Sequence, residues 1–491
     1  MSETLDVLII GAGLSGVGTA CALKRQAPWA RFTILEARGT LGGTWDLFRY
    51  PGFRADSDMF TLGYSFQPWT GSKAVASGAD ILDYLRRTAA EYGLDRDIRY
   101  QTKVVSANWD SHAGLWTVEA ETPQGSTRFS ARLLAVCAGY FRYDRAHAPQ
   151  LAGLDAFRGK IVHPQFWPEG LDCAGQRVLI VGGGSTAVTL APELARTADV
   201  TVLQRSPAYI FTRRSDAPLA GWLRRALPAR LAHRILRETQ ALIWWALYRW
   251  MRRRPAQARA MLTGWTRKEL GADVDLADFT PSYAPWDERL CMALDGDFFT
   301  AMREGRARVV TDPIDTFTPE GVRTASGRTL AADIVVLATG FEMNWMGGLA
   351  VKVDGVDVDL ASRRIYKGCM YEGAPNLVSV FGYLNSSWTM KSELIAGYLC
   401  RLLNVMRKGG YASATPPFVQ GEPRLPLIDF NAGYVRRALS GLPKQGMSEP
   451  WRMHQDYVAD IRQLRFGRID DGVLRLQRFP LPVERANGLA P

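Results

Sequence analysis

One strand–turn–helix pattern occurs twice in this chain, and glycines close the turn both times. The first copy reads Asp6-Val-Leu-Ile-Ile-Gly11-Ala-Gly13-Leu-Ser-Gly16 and runs into a helical apolar pattern through Ala20 and Leu23. The second reads Arg177-Val-Leu-Ile-Val-Gly182-Gly-Gly184-Ser185-Thr186-Ala187 and continues through Val188, Leu190 and Leu194. Short unbroken apolar runs of this kind read as buried parallel strands. Each helix is followed by another such run (Phe32 to Leu35; Val200 to Leu203), which completes a βαβ unit. The doubled unit predicts an α/β fold with two dinucleotide-binding, Rossmann-like domains. Two later runs, Leu133 to Gly139 and Ile334 to Gly340 (through Thr339), also read as strands. They end in small residues, where a ligand can come close to the backbone.

The glycines have separate physical uses. Gly11 permits the tight turn, Gly13 lets backbone approach a pyrophosphate, and Gly16 lets the helix pack on its strand. Glu36 stands twenty residues after Gly16 at the end of the next strand, where a carboxylate accepts hydrogen bonds from ribose hydroxyls. The second unit has Gly182, Gly184 and Ala187, and its matching strand ends in Gln204-Arg205-Ser206. An arginine pairs with a 2′-phosphate that a carboxylate would repel. The unlike ribose signals point to FAD at the first site and NADPH at the second, with hydride passing from one to the other. Of the six cysteines none forms a Cys-x-x-Cys pair, and none has zinc-like spacing with the five histidines. That argues against a disulfide reductase, a structural zinc and a disulfide scaffold.

Beyond these motifs the chain resembles a known family. Phe157-Arg-Gly159-Lys-Ile-Val-His163-Pro-Gln-Phe-Trp167-Pro168 matches the Phe-x-Gly-x-x-x-His-x-x-x-Trp-Pro fingerprint of Baeyer–Villiger monooxygenases. Gly42-Gly43-Thr44-Trp45 through Tyr50-Pro51-Gly52 to Asp56 matches a second family signature. Phe48 to Gly52, Pro285 to Cys291, Asn385 to Trp388 and Leu442 to Gly446 resemble the subgroup of ethionamide-activating monooxygenases.

The resemblance implies oxidation of ketones to esters or lactones by a C4a-peroxide of reduced FAD, with oxygenation of sulfides or thioamides as a side activity. It also implies a cation beside the flavin, because a buried peroxide anion needs one. Arg289 is expected to supply that cation and Asp56 to position it. Gly43, Thr44, Trp45 and Asn385 are expected beside the cofactors, and His163 on a segment linking the two domains. Many family members have Lys-Arg-Pro where this chain has Glu288-Arg289-Leu290, a departure its subgroup shares. The alternatives are an N- or S-oxidising flavin monooxygenase, an NADPH oxidase without ketone activity, and a non-catalytic flavin-fold binding protein.

The expected division is an FAD domain from 1–145 and again from 346–491, with an NADP domain at 146–345 that carries a basic helical insert at about 213–280. Lys+Arg is 60 against Asp+Glu 49, and all of that excess lies between Arg213 and Lys268. This stretch has 14 Lys/Arg against Asp216 and Glu238, together with Trp222, Trp244, Trp245, Trp250 and Trp265. Arginine with tryptophan suits a membrane interface or self-association. It equally suits a solvated basic face over a tryptophan core. No nucleic-acid motif accompanies the charge. The first strand starts at Leu5, which leaves no room for a signal peptide, and Ala241 to Tyr248 is too short to span a bilayer. The expected location is cytoplasmic, with peripheral membrane attachment open.

Overall fold

The computed structural model describes residues 4–478. The chain opens with β1 (Leu5–Ile10), α1 (Leu14–Gln26), β2 (Phe32–Leu35), β3 (Ile98–Arg99), β4 (Lys103–Asp110), β5 (Leu115–Thr122) and β6 (Gly125–Val136). It continues through β7 (Lys160–Val162), β8 (Arg177–Val181), α2 (Ser185–Leu194) and β9 (Asp199–Gln204). Three helices follow, α3 (Pro218–Ala226), α4 (Ala229–Arg253) and α5 (Pro255–Leu270), and then β10 (Ala307–Thr311) and β11 (Ile334–Leu337). The last part holds β12 (Ala350–Val353), β13 (Val356–Asp357), β14 (Leu377–Ser379), α6 (Trp388–Gly409) and α7 (Gly433–Ala438).

Two sheets dominate. The five-stranded sheet is parallel throughout, in the order β10-β9-β8-β11-β7. The nine-stranded sheet runs β13-β12-β4-β5-β6-β1-β2-β3, and β14 pairs with the end of β6. Its strands β1, β2 and β3 are parallel, whereas β4, β5 and β6 form an antiparallel meander. In each sheet the glycine-motif strand lies between the strand that follows it and the late strand ending in Ala-Gly or Ala-Thr-Gly. β1 and β8 each carry four consecutive buried residues, because helices or other apolar layers cover both faces.

The chain crosses between the sheets twice, and the two crossings pair with each other. Phe141 bridges Met343, the Arg142 amide donates to the Glu342 carbonyl (2.8 Å), and the Asn344 amide donates to the Tyr140 carbonyl (2.9 Å). The Glu342 carboxylate also pairs with Arg145 (2.6 Å) and Arg142 (3.4 Å).

The helices α3 to α5 form the arginine-rich insert; most of its cations are exposed, but a few reach inward. Buried Arg237 on α4 donates to the Gly63 carbonyl (2.5 Å) and pairs with Glu393. Buried His233 meets the Tyr64 carbonyl at 3.0 Å, and burial pushes its pKa down to about 4. Arg224 donates to the carbonyls of Trp69 and Gly71 (2.6 and 2.8 Å), and Arg249 pairs with Asp456 (2.7 Å). Helix α4 is thus pinned by cations to backbone and acids of the nine-stranded-sheet half. We predict that Arg237→Ala, by leaving Glu393 uncompensated, destabilises the protein by about 3–5 kcal/mol, read from urea unfolding.

Candidate functional site

Both glycine turns open into one cavity of about 1380 Å³. Gly11 (φ +101°) packs on the end of β6 so closely that an added Cβ would stand 2.7 Å from the Cys137 carbonyl oxygen. Gly182 (φ +132°) repeats this on the end of β11, 2.3 Å from the Ala338 oxygen. Only glycine meets both demands, a positive φ and a carbonyl at van der Waals range. Gly16 is buried beneath the first turn, where its Cβ would strike the Gly11 carbonyl, and Ala187 is buried beneath the second. Gly13 and Gly184 are the residues just before helices α1 and α2, and neither helix has a side chain capping its first amides. A Cβ on Gly184 would meet nothing within 4 Å. Free amides, the positive end of the helix dipole and open space together suit a phosphate.

Glu36 lies at the rim of the first turn, almost fully buried. It accepts from the amides of Ala12 (2.7 Å) and Arg38 (2.9 Å), and burial raises its pKa. Gly43, Thr44 and Trp45 line the same cavity. Thr44 shares a hydrogen bond with Tyr143 on the first crossing strand (2.9 Å), and Trp45 stacks on Phe53 (5.4 Å). Around the second turn Ser185, Thr186, Arg205, Ser206, Thr339 and Gly340 face the cavity. The Thr339 hydroxyl is buried without a hydrogen-bond partner, a donor left for a ligand to satisfy. Glycine turns, uncapped amides, a rim carboxylate and this orphaned hydroxyl fit two dinucleotides.

Asp56 and Arg289 meet in the same cavity. The Arg289 guanidinium stands 3.0 Å from the Asp56 carboxylate. Burial works against its charge, but Asp56, with Tyr140 and Tyr434 adding to it, outweighs that and raises the arginine pKa. The pair also borders a side pocket of about 50 Å³. Asn385 lines that side pocket rather than the main cavity, and its amide donates to the Gln455 carbonyl (2.8 Å). Trp388 reaches the main cavity instead, held by Ser15 (2.8 Å) and stacked on Tyr140 (5.0 Å). Cys137 and Cys291 are buried thiols pushed up to about 12 and about 11 by desolvation.

The fingerprint residues stay outside the cavity lining. Phe157 is buried against Phe317, and Gly159 lies against the Asp333 carbonyl. Trp167 packs on the core of the five-stranded sheet, and Pro168 is exposed. His163 accepts from the Gln165 amide (3.2 Å), which starts a short turn, and buried Gln165 donates to the Arg142 carbonyl on the first crossing strand (2.7 Å). This segment braces a crossing strand. Sequence reasoning missed Arg437 on α7. It lines the cavity beside Gly340, it shares that cavity with Arg205, and neither arginine has an ion pair among the described residues. The only local signal was a basic patch, Arg436-Arg437, in an otherwise unremarked loop region.

Comparison with known proteins agrees with this architecture. The flavin-binding monooxygenase-like family matches residues 74–261, and an NAD(P)-binding Rossmann-like domain matches residues 9–71. The FAD-containing monooxygenase EthA of Mycobacterium tuberculosis is 44% identical over 98% of this chain and 100% of its own length. The chain belongs to the FAD-containing monooxygenases. Within that family it is also similar to the putative monooxygenase MymA of M. tuberculosis (45% identity, 96% of this chain and 98% of that one). AlmA of Acinetobacter baylyi, a probable FAD-binding monooxygenase, is 41% identical over 99% of this chain and 98% of its own. The same fold occurs in a steroid monooxygenase solved with NADP (TM-score 0.75, 24% identity, 97% of this chain and 100% of that one). It occurs also in a cyclohexanone monooxygenase (TM-score 0.73, 19% identity, 97% and 100%).

Burial pushes the His163 pKa down to about 4, with the like charge of His147 adding to it. An unfolded histidine takes its proton near pH 6.5. The unfolded chain therefore binds the extra proton between those values, and the stability His163 contributes is lost as pH falls through that window. We predict that the urea midpoint of His163→Gln falls less steeply between about pH 6.5 and 4 than that of the unaltered protein.

Proposed function

We propose that this flavin monooxygenase is of the Baeyer–Villiger type, using NADPH and O₂ to convert ketones to esters or lactones, with sulfides and thioamides oxygenated at sulfur as a side activity. The observation that carries the reading is the charged Arg289, held by Asp56 inside the cavity that both glycine turns share. The bound flavin would supply hydride acceptance and O₂ activation.

The chain's own residues supply the remainder. The amides at the start of α1 and the Glu36 carboxylate hold FAD, with Gly43, Thr44 and Trp45 packed beside it. The amides of α2 take the NADPH pyrophosphate. Arg205 and Ser206 take the 2′-phosphate, which excludes NADH as an equal donor. Arg437, which lines the same cavity beside Gly340, adds a second cation near Arg205. Thr339 donates its unpartnered hydroxyl to a ligand beside Gly340. Arg289 presents a permanent cation with several donors. It favours negative charge on oxygen near the reacting carbonyl and stabilises charge that builds on the substrate oxygen, as an oxyanion hole does. Asp56 sets the direction of that guanidinium and partly neutralises its charge. Trp388, Tyr140 and Tyr434 wall the cavity against water.

A ketone panel with product analysis tests this. We predict ester or lactone formation with NADPH. Arg289→Ala should keep its FAD absorbance and its NADPH oxidation, now ending in H₂O₂, while ester formation falls roughly 10²–10³-fold. Sulfide oxidation with no ester from any ketone would reject the Baeyer–Villiger reading.

A further inference from the structure

The insert's long helix carries apolar residues on its outward face as well as on its inward one. A surface helix on a water-soluble body turns its apolar stripe inward and its charges outward. On α4 the inward face carries Ala232, Leu236, Ala241 and Met251 together with His233 and Arg237, all buried. The outward face carries Leu231, Ile235, Leu242, Ile243 and Trp250, which are 46%, 38%, 48%, 52% and 36% exposed. The helices on either side add Trp222 (64%) and Trp265 (42%). Seven of the fifteen exposed large hydrophobic residues described therefore fall within 218–270, so the apolar surface is concentrated there rather than scattered.

The charges around this face indicate what covers it. Arg230, Arg234 and Arg253 are exposed between the apolar residues and have no ion pair among the described residues. The one acid on α4, Glu238, is partly buried. The indole N–H groups of Trp222, Trp250 and Trp265 have no hydrogen-bond partner among the described residues. A second copy of the chain would bring the same cations face to face. A headgroup layer supplies phosphates for guanidinium, acceptors for indole and hydrocarbon for leucine and isoleucine. No described helix is long and apolar enough to cross a membrane, so contact would be made along the surface.

We propose that the outward face of α4, with its flanking tryptophans, docks on an anionic lipid bilayer. The proposal is independent of the reaction assigned above, and its test does not use turnover. The FAD-loaded full chain is floated with vesicles of phosphatidylcholine, with and without phosphatidylglycerol, at low and high salt. Flotation should require phosphatidylglycerol and fall with salt. The double variant Leu242→Ser/Ile243→Ser, and separately Arg230→Glu/Arg234→Glu, should each lower binding about tenfold or more, with FAD content and thermal midpoint unchanged. These residues lie on the surface, so folding is retained. Three results would overturn the proposal. One is no dependence on anionic lipid; another is undiminished binding by both variants. The third is a vesicle-free dimer, seen by ultracentrifugation, that the same substitutions dissolve, which would assign the face to a second copy.

Discussion

The architecture depends on two close backbone contacts, Gly11 on the Cys137 carbonyl and Gly182 on the Ala338 carbonyl. Each brings a helix start within reach of a neighbouring strand end, and each leaves that helix without a side-chain cap. Uncapped amides at a buried helix end are costly unless something accepts from them. The chain therefore holds two anion-seeking helix ends, and both face one cavity. Everything chemical in the protein is arranged around this juxtaposition.

The juxtaposition is held by polar contacts and by apolar packing, with Phe48 and Tyr50 of the signature loop buried in the core of the five-stranded sheet. The crossing strands pair at residues 140–142 and 342–344, and the fingerprint segment braces the first of them through Gln165. The loop carrying the second family signature reaches from the nine-stranded sheet onto the other half, where Arg54 pairs with Asp297 (2.6 Å) and Gly52 packs on Glu193 of α2. Asp56 lies at the end of that loop and Arg289 just before a strand of the other half, so the ion pair itself spans the two. A shift of one half on the other would change the position of the guanidinium.

The parts readable from sequence are those written in local pattern. Apolar runs ending in glycine gave both βαβ units, and the two late strands ending in Gly139 and Gly340 were visible for the same reason. Glu36 was legible because its distance from the glycines is set by one helix and one strand. The antiparallel β4–β6 meander was not, since its pairing depends on register between segments with mixed exposure. The insert was legible as basic, tryptophan-rich helix, but not as a helix with buried arginines. Arg237 and Arg224 find their carbonyl partners more than 150 residues away. Asn385 was expected beside a cofactor and lines the side pocket, because its partner Gln455 comes from a distant loop. Arg437 was missed because only tertiary contact places it near Gly340.

We propose that one cavity holds both dinucleotides with a compensated guanidinium between them. A crystal structure of the protein with FAD and NADP⁺ bound tests it most directly. The expected structure has the flavin pyrophosphate on the first amides of α1, the nicotinamide pyrophosphate on those of α2, and Arg289, still paired with Asp56, within contact of the flavin's central ring. An Arg289 turned out to solvent, or either nucleotide bound away from its glycine turn, would contradict it.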